Sequence, residues 1–309
     1  YFVNSGSEAN ELALRLAREH TKAKGMITMD HGYFGNTTGA IDISAYKFNK
    51  PGGVGQPDWL ELVEIPDDYR GAYKKEDPNR GEKFAGQINQ AIEKLKSKNQ
   101  NLCGFIAETF PSVGGQIITP PGYLAEVYRQ VRENGGVCIA DEVQTGLGRL
   151  GNHYFGFEYQ KVCPDIVVLG KPIGNGHPVG VVATTKEIAN NFDNGIEFFS
   201  TFGGSTLSCA IANEVIEIVE DESLQSNARK MGEKLKTGLK KLQKKYESIG
   251  DVRGMGLFVG IELIDENGKE NTRLCTFVKN RMRDFRILIG SEGPMDNVLK
   301  IRPPLSIEL

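Results

Sequence analysis

The chain reads as an α/β protein: a mostly parallel sheet with helices on both faces, followed by a smaller α+β unit. Two observations predict this. Apolar runs of strand length recur at 25–30, 102–108, 136–141, 165–169 and 179–184, and helical patterns, notably at 84–98 and 123–134, bridge them. Such alternation builds parallel sheets covered on both sides. Near the end the pattern changes. Met255, Leu257, Val259, Ile261 and Leu263 alternate with smaller or polar residues, as in a half-buried antiparallel strand.

Taken in order, Tyr1-Phe2-Val3-Asn4 leads at once into Ser5-Gly6-Ser7-Glu8-Ala9-Asn10 and an amphipathic helix for which Ser7 reads as the N-cap. Ala9, Leu12, Ala13, Leu16, Ala17 and His20 share one face. Glu8, Glu11, Arg15, Arg18 and Lys22 share the other, with Glu11 and Arg15 spaced to pair. Nothing before Tyr1 supplies opening strands, so an upstream segment is expected. Proline, glycine and charge mark 46–83 as a long surface excursion. Pro121 suits the first turn of the helix at 123–134 and Gly135-Gly136 its stop. Helices follow at 205–219 and 224–246. A strand near 255–263, a helix at 272–284 and strands at 286–289 and 298–302 then form the small unit, whose last helices are expected to be missing. The domains divide as 1–245 and 246–309.

The 309 residues carry 37 basic against 40 acidic side chains, a net −3, without a basic stripe interleaved with aromatics, so no nucleic-acid partner is indicated. No apolar run is long enough to cross a membrane and no signal peptide opens the chain. Cys103, Cys138, Cys163, Cys209 and Cys275 are odd in number and scattered, with no metal-binding spacing. They point to a reducing, cytoplasmic setting.

Chemistry concentrates where predicted strands end. Glu108, Asp141 and Lys171 each follow the carboxyl end of one, where open α/β sheets bind ligands. Lys171 lies in the run Leu169-Gly170-Lys171-Pro172-Ile173-Gly174-Asn175-Gly176, thirty residues beyond Asp141. An amine to hold an aldehyde and a carboxylate to keep a ring nitrogen protonated are what pyridoxal phosphate requires. Its phosphate finds a candidate seat at the first helix: unpaired N–H groups and the positive end of the dipole face Gly6, which admits close approach. Gly146-Leu147-Gly148-Arg149-Leu150-Gly151 satisfies a dinucleotide fingerprint, but no helical pattern follows it.

With Gly32-Tyr33-Phe34-Gly35, Ala140-Asp141-Glu142-Val143-Gln144-Thr145-Gly146 and Ser200-Thr201-Phe202-Gly203-Gly204 added, the chain resembles the class-III, fold-type-I pyridoxal-phosphate aminotransferases. The resemblance implies that Ser5, Gly6 and Ser7 hold the cofactor phosphate, that Tyr33 stacks on the ring beside Phe34 and Glu108, and that Asp141 pairs with the ring nitrogen. Gln144 would contact the ring hydroxyl and Lys171 would form the Schiff base. Thr201 would reach the neighbouring subunit's phosphate, making a homodimer part of the site. The implied reaction is transfer of an amino group between a small amine or amino acid and a keto acid. Two departures bear on substrate. Lys300 stands where many members carry a carboxylate-gripping arginine, with Arg302 two residues on, and Glu108-Thr109-Phe110-Pro111-Ser112-Val113-Gly114-Gly115 lacks their acidic gate residue. With the run from Gly170 to Pro178, these features are similar to the phospho-lyase branch of the family, which expels phosphate from amino-alkyl phosphates such as phosphoethanolamine.

Overall fold

A computed structural model describes residues 1–308. Its larger sheet contains β1 (Phe2–Val3), β2 (Gly25–Met29), β3 (Leu60–Val63), β4 (Leu102–Glu108), β5 (Val137–Asp141), β6 (Ile166–Leu169) and β7 (Gly180–Thr184). The spatial order is β1-β7-β6-β5-β4-β2-β3. From β3 to β6 neighbours run parallel; β7 lies antiparallel to β6, and β1 antiparallel to β7.

Successive strand residues point to opposite faces, and the core divides accordingly. Met26, Ile106 and Ile139 pack with Leu12 and Leu16 of α1 (Gly6–Thr21) on one side. Ile27, Phe105 and Cys138 pack with Ile88, Ile92, Val127 and Val131 of the helices at Gln87–Ser97 and Tyr123–Glu133 on the other. Helices therefore cover both faces, as the sequence predicts.

The second sheet is wholly antiparallel, formed by β8 (Ile249–Met255), β9 (Phe258–Leu263), β10 (Gly290–Glu292) and β11 (Val298–Ile301) in the order β10-β11-β9-β8. Val252, Val259, Ile261 and Leu299 pack there against Leu239 of the helix Leu224–Lys245 and Cys275 of the helix Thr272–Asp284.

Several expectations change. Ser5 caps α1, not Ser7: Ser5 Oγ accepts the Glu8 N–H at 3.2 Å, while Ser7 Oγ accepts from Asn36. Glu11 does not turn to Arg15 but accepts from Thr37 Oγ1 at 2.5 Å and the Ala40 N–H at 3.2 Å. The 46–83 excursion contains the edge strand β3 and the buried Phe48, Trp59 and Leu60. The strand's four residues carry Glu61 and lie between Asp58 and Glu64 in a proline- and charge-rich run, which masks them. The helix foreseen at 84–98 breaks at Gly86 into Arg80–Ala85 and Gln87–Ser97. The alternating run near 255–263 is half of a hairpin that turns through Gly256, with φ +53°. Arg286, at φ +61°, turns the chain sharply, so the strand expected at 286–289 forms later, at β10.

Candidate active site

Parallel pairing brings three chemical groups to the carboxyl end of the sheet. Glu108 closes β4 and Asp141 closes β5 as register partners, and Lys171 is the second residue after β6. They line a cavity of about 220 Å³ with Ser5, Gly6, Ser7, Asn10, Tyr33, Phe34, Val143 and Gln144. A roomier cavity of about 300 Å³ opens at Asp67, Arg70, Arg253 and Glu262. No lysine lines it, whereas the smaller one has both the amine and a helix N-terminus.

Asp141 is buried and its orientation is enforced. Oδ2 accepts from Asn10 Nδ2 at 2.7 Å and Oδ1 from the Val143 N–H at 2.9 Å. Burial pushes its carboxyl pKa up, opposed by those two bonds and by the Lys171 charge. Glu108 is more strongly affected: burial first, then the Asp141 charge, push it up to about 7. It pairs with no arginine. Oε2 accepts the Ser112 N–H at 3.0 Å and Oε1 is buried without a partner.

Lys171 adopts φ +30°, a strained value for a residue with a side chain. Water reaches its side chain through the open cavity. The surrounding walls still remove enough solvent to lower the amine pKa, with Lys300 and Arg302 adding to the fall and Asp141 and Glu108 opposing it. The loop can lie this close to α1 because residue 170 is glycine: a Cβ there would meet the Gly6 nitrogen at 3.0 Å.

At the mouth of α1 the N–H groups of Gly6 and Ser7 precede the first intrahelical bond, from Ala9 N–H to the Ser5 carbonyl. Gly35, at φ +141°, presses against Ser7, leaving no room for a Cβ. Tyr33 stands half-buried at the cavity wall with its ring edge-on to Tyr46, whereas Phe34 belongs to the core and contributes its carbonyl to Asn10.

Not every expected residue converges. Thr201 lies exposed in its loop, outside this cavity. Gln144 lines the wall, but its Oε1 accepts from Arg302 Nη1, and its carbonyl accepts from Nη2 at 3.0 Å. Lys300 Nζ pairs with Glu292 at 2.9 Å. His177 bonds Ser208 Oγ at 2.9 Å, which gives it a structural partner. Sequence reasoning assigned no role to Asn10, which orients Asp141. The available signal was an amide within the apolar stripe between Ala9 and Leu12.

A strongly buried carboxylate held by an amide, a strained and partly desolvated amine and a glycine-cradled helix N-terminus fit pyridoxal phosphate. All 309 residues match the model of the family described as aminotransferase class-III. The chain belongs to the class-III aminotransferase family. This family member is 48% identical, over 99% of its length, to a Drosophila melanogaster protein named alanine–glyoxylate aminotransferase 2-like, and spans 63% of that relative. It is 41% identical to ethanolamine-phosphate phospho-lyase homolog 1 of Caenorhabditis elegans, over 98% of this chain and 68% of the relative. A solved phospholyase from Arthrobacter in complex with phosphoethanolamine superposes with a TM-score of 0.92 at 37% identity, covering 99% of this chain and 72% of that one. No helix among the described residues is long and apolar enough to cross a membrane.

Proposed function

We propose that this chain is the catalytic body of a pyridoxal-phosphate enzyme acting on small primary amines, and that it eliminates phosphate from an amino-alkyl phosphate. When bound, the cofactor supplies an aldehyde that condenses with an amine and a pyridinium ring that draws electrons from the neighbouring carbon. Gly6 and Ser7 bind its phosphate with main-chain N–H groups, and the α1 dipole favours the dianion. Asp141, oriented by Asn10 and Val143, holds the proton at the ring nitrogen. Lys171 Nζ, whose basicity is moderated by desolvation, takes the proton from the substrate carbon. Tyr33 shields one side of the cavity from water.

The cations beyond Lys171 carry the choice of elimination. Both Nη groups of Arg302 are directed at Gln144, so no arginine fork stands ready for a carboxylate. Lys300 is a point charge that spends one donor on Glu292 and keeps two, a geometry suited to phosphate oxygens. The relatives described as phospho-lyases support this reading. A second reading, transamination, is favoured by the buried Arg302 Nε, which has no partner. If the guanidinium leaves Gln144, its fork can receive a keto-acid carboxylate.

Phosphate measured after adding phosphoethanolamine to the holoenzyme, with no keto acid present, separates the two. Elimination predicts sustained phosphate release, whereas transamination predicts accumulation of the amine form of the cofactor and no phosphate. Lys171→Ala should abolish release and the visible cofactor band together.

We infer further that two copies complete the site, with Thr201 supplied to the neighbour. Thr201 is exposed on a loop that also presents Phe199 and Phe202 to solvent. Light scattering during size-exclusion chromatography tests this, since a monomer of full activity would refute it. A reducing, cytoplasmic setting accords with the five free cysteines.

A further inference from the structure

Among the described residues, Glu108 is the one deeply buried ionisable group in the cavity to which the chemistry above gives no task. It stands beside Asp141 on the neighbouring strand, so the two backbones lie roughly 5 Å apart and both side chains share one face of the sheet. The residue is 4% exposed. Its Oε2 is fixed by the Ser112 N–H, but Oε1 is buried with no partner, in a side chain that forms the wall facing Lys171. A buried, idle oxygen in a cavity is a place for a ligand to bond.

Charged groups face Glu108 from each side: Asp141 on β5, Lys171 after β6 and Lys300 on β11, with Arg302 just beyond. It therefore sits among the carboxylate assigned to the ring, the amine assigned to the carbon proton and the ammonium assigned to the substrate phosphate. Asp141 is not available for another task, because both its oxygens are already bonded.

We propose that Glu108 is the acid of the elimination, its Oε1 delivering a proton to the ester oxygen of the departing phosphate. This rests on the phospho-lyase reading. A phosphate monoester dianion that loses its carbon without gaining a proton must leave as the trianion, a far poorer leaving group than the hydrogen phosphate dianion. In the proposed step the carbon–oxygen bond breaks and its electron pair stays on oxygen. That oxygen takes the Oε1 proton, leaving Glu108 as a carboxylate. Lys171 Nζ meanwhile holds the proton removed from the substrate carbon, and Glu108 regains one from solvent as products leave. Burial and the Asp141 charge keep the Glu108 carboxyl protonated up to about neutral pH, as an acid must be.

The test compares phosphoethanolamine with ethanolamine O-sulfate, whose leaving group needs no proton. In the holoenzyme, Glu108→Gln should lower kcat for the phosphate ester by about 10²-fold or more and change kcat for the sulfate ester by only a few fold. Equal losses on both esters would reduce Glu108 to a brace and overturn the proposal. Wild-type enzyme gives a check that needs no variant: phosphate elimination should decline as pH rises through about 7, and sulfate elimination should not. Parallel profiles would also overturn it. Infrared titration of the holoenzyme should show a protonated carboxyl band that is missing from Glu108→Gln, and absence of that band in the wild type counts against the acid. If wild-type enzyme eliminates neither ester, the phospho-lyase reading fails and takes the acid role with it. That outcome is distinct from a loss shared by both esters.

Discussion

Replacing Glu108 by glutamine should stabilise the cofactor-free protein, by an amount that grows with pH. The carboxyl is raised from an ordinary 4.5 to about 7 by burial and by Asp141. A carboxyl whose folded pKa is raised keeps its proton longer in the folded than in the unfolded chain. Stability is therefore fully present below about pH 4.5 and is lost as pH rises through about 7. The whole interval corresponds to roughly 3 kcal/mol, of which about 2 kcal/mol falls between about pH 5.5 and 8.5. Glutamine cannot ionise and retains an acceptor for the Ser112 N–H. The variant's advantage in Tm should thus widen by about 3 °C across that range for a chain of this size. Calorimetry of both proteins at several pH values decides the matter. A constant difference in Tm would refute the assigned pKa and the burial argument behind it. A gain in stability on removing a site residue would also show strain retained for function.

Three further changes have defined outcomes. Asn10→Ala strips a bond from Asp141 Oδ2 and another from the Phe34 carbonyl, both buried; it should cost about 1–3 kcal/mol and weaken cofactor retention, read by thermal denaturation and equilibrium dialysis. Arg253→Met removes a guanidinium that joins Asp251, Glu262 and the Gly115 carbonyl at 2.8–3.1 Å. Because Glu262 keeps Arg70 at 2.6 Å, the loss should be about 3 kcal/mol in urea denaturation, the low end for breaking a buried pair. Gly35→Ala places a methyl 2.5 Å from Ser7 Oγ at φ +141°, so it should displace the α1 mouth and weaken pyridoxal-phosphate binding in an absorbance titration.

Most of the parallel sheet was legible because its central strands are apolar on both faces and lie between helical periods. The strands that escaped notice are those at the edges. β1 has only two residues, and β3, though as long as β6, carries Glu61 and lies in a run rich in proline, glycine and charge. The N-cap was misplaced by two residues because serine stands at both 5 and 7. Only backbone geometry distinguishes them: Ser5 is extended at φ −158° and Ser7 is already helical. The roles of Arg302 and Lys300 were equally hidden. Gln144 meets Arg302 only through the way the two sheets lie together, 158 residues apart in sequence, and Glu292 meets Lys300 only because β10 pairs with β11.

The residue types by themselves determined the chemistry on offer: an amine in a glycine loop, an acid at a strand end and serines at a helix mouth. Those follow from local rules, since periodicity, capping and glycine's freedom act over a few neighbours. Tertiary structure alone decided which acids stand side by side, which oxygen is left without a partner and which cations are already engaged. Burial and charge coupling depend on groups brought together from distant parts of the chain, and these set the protonation of Glu108, Asp141 and Lys171.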